Sequence, residues 1–148
     1  MASSYLQGDE GIADDFPGLV RHLEAQVHPR EYRRTITLGT SSGGFYAIWA
    51  GALFAAVRAI SFGGFLTRPL AQLSWDQSAA PDFDILLVYG REFPPDHNRA
   101  LAIRNLVGGL LQPIADVAEH NVLGALMKQG RLSETLDKLL AGSLHKGV

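Results

Sequence analysis

Cysteine is absent from the chain. That excludes disulfides, thiolate metal sites and a cysteine nucleophile. A surplus of one charge is absent too: the formal net charge is −2. Nothing in that balance draws the chain to nucleic acid or to an acidic membrane surface. Long apolar runs are missing as well. Phe45–Ile60 is the most apolar stretch, but it contains Arg58 and is too short for a bilayer. The opening M-A-S-S-Y-L-Q-G-D-E has no basic region followed by an apolar one, so it does not read as a signal peptide. These features predict a cytoplasmic protein with no membrane association. No internal repeat or low-complexity segment interrupts the pattern. What is present is 148 residues, 47% apolar and 19% charged. That suits one globular domain over 1–148, with a polar lead-in at 1–12 and a frayed tail at 142–148.

The order of elements sets the fold class. Asp14-Asp15 can cap a first helix with Pro17 in its first turn. Phe16, Leu19, Val20, Leu23 and Val27 recur at helical spacing, and His28-Pro29 ends the run. His22 and His28 read as surface residues. A strand over Thr35–Leu38 follows, and then a helix from about Ser42 to Ala56 that is apolar nearly all round. Such a helix is buried on several sides, with Trp49 in the core. Val57–Phe62 reads as a second strand, stopped by Gly63-Gly64. Phe65–Ala80 is irregular. Phe83–Tyr89 is a third strand, continuously apolar after Asp84, as a strand covered on both faces should be. Asp96-His97-Asn98 leads into a helix with Ala100, Ile103, Leu106 and Val107 on one face. Leu110–Ala118 is the weakest strand, and Pro113 assigns it to a sheet edge. Glu119-His120 ends it, and a helix follows to Gln129, with Gly130 as its stop. Ser133 caps a last one holding Leu136, Leu139 and Leu140. Strand and helix alternate, which predicts an α/β fold: a mostly parallel sheet of about four strands with helices on both faces.

The segment between the first strand and the second helix carries the chemistry. Gly39-Thr40-Ser41-Ser42-Gly43 is G-x-S-x-G in a strand–turn–helix setting. A turn that sharp pushes Ser41 into a strained conformation with its Oγ at the strand tip. The flanking glycines are expected because a Cβ there would collide with a neighbouring strand or helix. Ser42 opens the helix, so its backbone N–H can face a developing oxyanion. In parallel sheets the working residues gather beyond the carboxyl ends of the strands. Ser41, Asp96 and His120 each lie just past a different strand, in the order Ser…Asp…His. A serine hydroxyl needs a base in hydrogen-bond reach, and the base needs a carboxylate. Other acids and histidines fit less well. Asp82 and Asp84 open their strand, Asp116 lies within the last strand, His97 adjoins Asp96, and His145 is in the tail. Two plainer readings stand beside this one: His120 as a helix-capping or buried histidine, and Asp96 as a helix N-cap.

L-G-T-S-S-G-G-F-Y-A-I with A-I-S-F-G-G, then V-Y-G-R-E-F-P-P-D-H, then A-E-H-N-V-L-G-A-L-M-K-Q-G-R-L resembles the C-terminal part of an α/β-hydrolase-fold serine esterase. The likeness runs from about Tyr5 to Leu140. It implies Ser41 as nucleophile, His120 as general base, Asp96 as its orienting acid and the Ser42 amide as one oxyanion donor. It implies a small ester-like substrate and needs no metal or organic cofactor. The walls of the pocket would come from Phe65–Ala80 and Arg91–Pro95. In one respect the chain departs from the family. There, several strands precede the elbow, and the loop after one of them supplies the second oxyanion donor. Here residues 1–34 read as a single helix. The expectation is a homo-oligomer, or a partner chain that supplies the missing strands. Two rival functions follow from other readings: a non-catalytic interaction module of the same fold, and a phosphate cradle at Gly39–Gly44. The cradle is the weaker, because no Lys follows as in G-x-x-x-x-G-K-[ST] and G-x-G-x-x-G is absent.

Overall fold

The structure is a computed structural model, and it describes residues 16–28, 31–66 and 82–141. The expected lead-in at 1–12, the Asp14-Asp15 cap, nearly all of Phe65–Ala80, and the tail with His145 lie outside the described residues. The elements run α1 (Phe16–Val27), β1 (Ile36–Thr40), α2 (Ser42–Leu53), β2 (Arg58–Phe62), β3 (Asp84–Gly90), α3 (Pro94–Val107), β4 (Leu110–Ile114), α4 (Val122–Lys128) and α5 (Leu132–Leu140). The four strands form one sheet in the order β1-β2-β3-β4, every pair parallel. The α/β class read from the alternation is therefore the observed one. No described helix is long and apolar enough to cross a membrane.

Alternation along the strands sorts their side chains into two cores. Ala59, Ile85, Leu87 and Tyr89 face one side, with Phe45 and Ile48 of α2 and Ala100, Ile103 and Val107 of α3. Ile60, Phe62, Leu86 and Val88 face the other, with Val122, Ala125 and Leu126 of α4 and Leu139 of α5. Both faces of β2 and β3 are thus covered, which is why β3 is apolar without interruption after Asp84, while β2 buries Arg58 and Ser61 along with its apolar residues. At the amino end of this sheet Arg58 is almost wholly buried. Its guanidinium donates to Leu139 O (2.6 Å), to Ala141 O (2.9 Å) and to Asp84 Oδ2 (2.8 Å). One cation therefore ties β2 to β3 and closes the last carbonyls of α5.

Several boundaries move from their expected places. β1 extends two residues further, to Thr40, because Gly39 and Thr40 continue the ladder opposite Ser61 and Phe62. α2 stops at Leu53 rather than Ala56: Ala55 turns left-handed (φ 50°), and Ala56 N–H donates back to Gly51 O at 2.9 Å. β4 ends at Ile114, so Asp116 lies in the turn after it rather than inside the strand, at φ 61°. Asp is one of the few residues that tolerate that conformation. α5 starts at Leu132, with Arg131 at its cap; Ser133 sits inside the first turn and does not cap it. Trp49 is half-buried on the flank of α2, stacked on Tyr46 with ring centroids 6.3 Å apart, rather than in either core.

Candidate active site

Ser41 stands between β1 and α2 with φ 54° and ψ −128°. A side-chain-bearing residue there costs about 1–3 kcal/mol, so the surroundings must hold it. They do so from both sides. Ser41 N–H donates to Phe62 O at 2.9 Å, and Gly44 N–H donates to Ser41 O at 3.0 Å. The Ser42 N–H has no backbone acceptor among the described residues. It is an orphan donor at a helix start, beside the Ser41 hydroxyl. The need for glycine falls differently from expectation. A Cβ on Gly39 would lie 2.1 Å from Gly43 O, so that position is closed. A Cβ on Gly43 would meet nothing within 4 Å. The crowded partner is Gly44, where a Cβ would lie 2.3 Å from Ser61 Oγ and 2.8 Å from Gly64 Cα. The motif thus needs its first glycine for the turn itself, while the residue after the motif seats α2 against the end of β2.

Beyond the carboxyl ends of β1, β3 and β4, three side chains meet. Ser41 Oγ is 3.0 Å from His120 Nε2. His120 Nδ1 lies 2.9 Å from Asp96 Oδ1 and 2.8 Å from Asp96 Oδ2. A carboxylate can only accept, so Nδ1 carries the proton and Nε2 is left to accept from the serine hydroxyl. Asp96 is the third residue of α3, whose cap position is Phe93, so Asp96 is not the N-cap. Pro94 and Pro95 start the helix without losing any bonded N–H, and an anion in this first turn suits the helix dipole. The acid is fully buried, at 0% exposure, whereas about a third of the His120 side chain remains accessible. His120 precedes α4; the cap there is Asn121, whose side chain accepts from Gly124 N–H at 2.9 Å. The histidine is therefore free of a capping role, and both its nitrogens face the serine–acid line.

No family model, curated protein or solved structure matches this chain. The geometry also sorts the remaining candidates. His97 stacks on Tyr89, with centroids 5.1 Å apart, on the other side of α3's first turn. Asp84 binds Arg58 at the opposite end of the sheet. Asp116 is exposed, with Arg131 at 4.0 Å. Among the described residues, no three His, Cys, Asp or Glu are grouped as a metal site requires.

Three features escaped the sequence. Gly63, read only as a strand stop, has φ 56°, and a Cβ on it would lie 2.8 Å from Asp96 Oδ2 and 3.1 Å from His120 Nδ1. Its bare backbone makes room for the acid–base contact. Phe65 and Phe93 both flank the His120 ring, each with centroids 6.4 Å from it. They belong to the two segments expected to wall the pocket. Arg99, one turn after Asp96, places Nη1 2.7 Å from Asp96 Oδ1 and its guanidinium 5.3 Å from the centre of the Phe65 ring. An i, i+3 pair of Asp and Arg on a helix carries a weak signal at best, because it reads equally well as a solvated surface pair.

Proposed function

We propose that this chain is a serine hydrolase or acyl transferase of the α/β-hydrolase type, acting on an ester-like bond in a small molecule. The observation that carries the reading is the unbroken line from Ser41 Oγ through His120 to the buried Asp96, starting at a residue held at φ 54°. His120 Nε2 takes the proton of Ser41 as Oγ attacks the carbonyl carbon, and the carbonyl oxygen becomes an anion. The Ser42 N–H donates to that oxyanion. Asp96 steadies the imidazolium without itself becoming protonated. His120 then returns the proton to the departing alkoxide, leaving an acyl-serine. Water, deprotonated by the same nitrogen, or a second alcohol in a transfer reaction, attacks the acyl carbon and releases Ser41 with its proton restored. The sequence of steps requires no metal or organic cofactor, and we assign the chain to the cytoplasm.

One observation favours a second reading. Among the described residues β1 has a neighbour on one side only, and that is where the resembled family places the strand bearing the second oxyanion donor. A subunit or interaction module completed by another chain would look like this. A fluorophosphonate probe separates the two. It should label the wild-type chain at Ser41 and leave Ser41→Ala unlabelled. A wild-type chain that folds and takes no label supports the module.

A further inference from the structure

Asp96 presents a chemical problem that the serine–histidine–acid line does not solve. A carboxylate removed from water needs a countercharge or several donors. To serve as the base for Ser41, His120 must keep Nε2 free of a proton, and a ring in that form brings Asp96 no charge. It offers Asp96 one N–H, shared between both oxygens at 2.9 and 2.8 Å. Among the described residues the only other group touching either oxygen is Arg99, whose Nη1 donates to Oδ1 at 2.7 Å. The same nitrogen lies 3.4 Å from His120 Nδ1. Both are donors, so they do not bond each other and instead converge on one oxygen. Arg99 is itself fixed: its guanidinium lies over the Phe65 ring, an arrangement that favours a cation. Its side chain is 42% exposed, so the charge keeps part of its hydration while its inner nitrogen serves a fully buried acid.

We propose that Arg99 is a positioning residue for this site, supplying the countercharge of Asp96 and fixing the rotation of its carboxylate so that His120 Nδ1–H is held on Asp96 and Nε2 is kept facing Ser41. The inference deepens the hydrolase reading and rests on it for its kinetic consequence. The clamp is built within one helix: Asp96 and Arg99 are three residues apart on α3, so the acid is oriented whether or not the loop carrying His120 is in place. Gly63 completes the arrangement from the other side, because its missing Cβ leaves Oδ2 open to the ring. Without Arg99 the carboxylate would have one neutral donor for two oxygens and could turn about its own axis. The ring would lose its fixed partner, although nothing that touches Ser41 would have been removed.

Two readouts test this, one of them independent of turnover. A ring N–H bonded to a buried carboxylate exchanges slowly and gives a low-field proton resonance, assigned here by its loss in His120→Ala. That resonance should be present in the wild type, broadened or lost in Arg99→Met, and retained in Arg99→Lys. In parallel, Arg99→Met should slow fluorophosphonate labelling about ten-fold, Arg99→Lys should stay within about three-fold of wild type, and Arg99→Met should cost nothing more in an Asp96→Asn background. The last comparison is one that a merely structural residue would fail. Equal losses in the presence and absence of the Asp96 carboxylate would overturn the proposal. So would an unaltered resonance and rate in Arg99→Met, or a loss in Arg99→Lys as deep as that in Arg99→Met. If Arg99→Met does not fold, Arg99→Gln replaces it in every comparison with the same expected results. If the wild-type chain takes no label, the hydrolase reading falls while the resonance still decides the role of Arg99.

Discussion

Ser41 combines a hydroxyl in reach of a base with a backbone conformation that costs free energy, and the two can be separated. Ser41→Ala removes the hydroxyl and keeps the conformation. It should abolish labelling and ester turnover and leave thermal stability nearly unchanged. Ser41→Gly also removes the hydroxyl but relieves φ 54°, and should be more stable than Ser41→Ala by about 1 kcal/mol in denaturant unfolding. Equal stabilities would mean that the turn is not strained. His120→Ala and Asp96→Asn should each slow turnover by several orders of magnitude in single-turnover kinetics, as loss of one member of such a unit does. Normal turnover in His120→Ala with a dead His97→Ala would reverse the choice of histidine. These three residues were legible because each lies beyond the carboxyl end of a different strand and one sits in a G-x-S-x-G turn. Arg99 and Gly63 were not. An arginine three residues after an aspartate, and a glycine after a strand, are what ordinary surfaces and strand ends carry. Only the fold brings both to the same carboxylate.

At the scale of elements, the seating of α2 against the end of β2 decides where Ser41 points. Gly44, Ser61 and Gly64 meet there with no room for one more carbon. Gly44→Ala should therefore push the helix start outward, lower stability by about 1–3 kcal/mol and slow labelling in the same variant. Gly43→Ala, one residue earlier, meets nothing within 4 Å and should leave stability and labelling at wild-type levels. Circular-dichroism melts of the two variants side by side check this; matching losses would show that the turn, not the packing, demands glycine. A similar contrast explains which elements could be read from sequence. β3 was plain because burial on both faces leaves an unbroken apolar run after Asp84, and β2 because Gly63-Gly64 stops it. The end of α2 and the start of α5 were misplaced because local chemistry does not fix them. Ala55 adopts a left-handed turn that alanine does not advertise. Ser133, a good cap by type, is pre-empted by the turn at Gly130-Arg131, which Arg131 anchors by donating to Ala115 O at 3.1 Å. The extra length of β1 was hidden by Gly39, a poor strand former that the elbow requires.

For the whole molecule, the sheet is closed at its amino end and has two edge strands among the described residues, β1 and β4. Arg58 closes the amino end, where its bonds to Leu139 O and Ala141 O matter more than its pair with half-exposed Asp84. Arg58→Met should cost about 3 kcal/mol in urea unfolding, because the buried Leu139 carbonyl loses a charged donor and the Ala141 bond goes with it, and Asp84→Asn should cost much less. Of these two edges β4 carries Pro113, and β1 is the one left unblunted. Among the described residues it pairs only with β2, and its ladder carries no proline or charge to discourage a further strand. Most of the exposed large apolar side chains lie in the same half of the chain, Leu23, Val27, Leu38, Leu53 and Val57 among them, with Leu110, Met127 and Leu140 in the other. β3 and α3, by contrast, expose no large apolar side chain. An unpaired strand edge that itself carries an exposed aliphatic side chain, Leu38, favours association through main-chain hydrogen bonds, reinforced by apolar burial. A second copy offers the same edge, and two antiparallel β1 strands related by a two-fold axis would satisfy each other's free N–H and C=O groups. Sedimentation at micromolar concentration should then give twice the 16.0 kDa chain mass. Leu38→Lys, which places a charge on that edge, should return the single-chain mass while the chain stays folded. A folded wild-type chain that sediments at 16.0 kDa, with residues 1–12 protected from hydrogen exchange, would show that the chain covers its own edge. A wild-type monomer that doubles only when a separate strand-bearing protein is added would place the missing half of the sheet in a different partner.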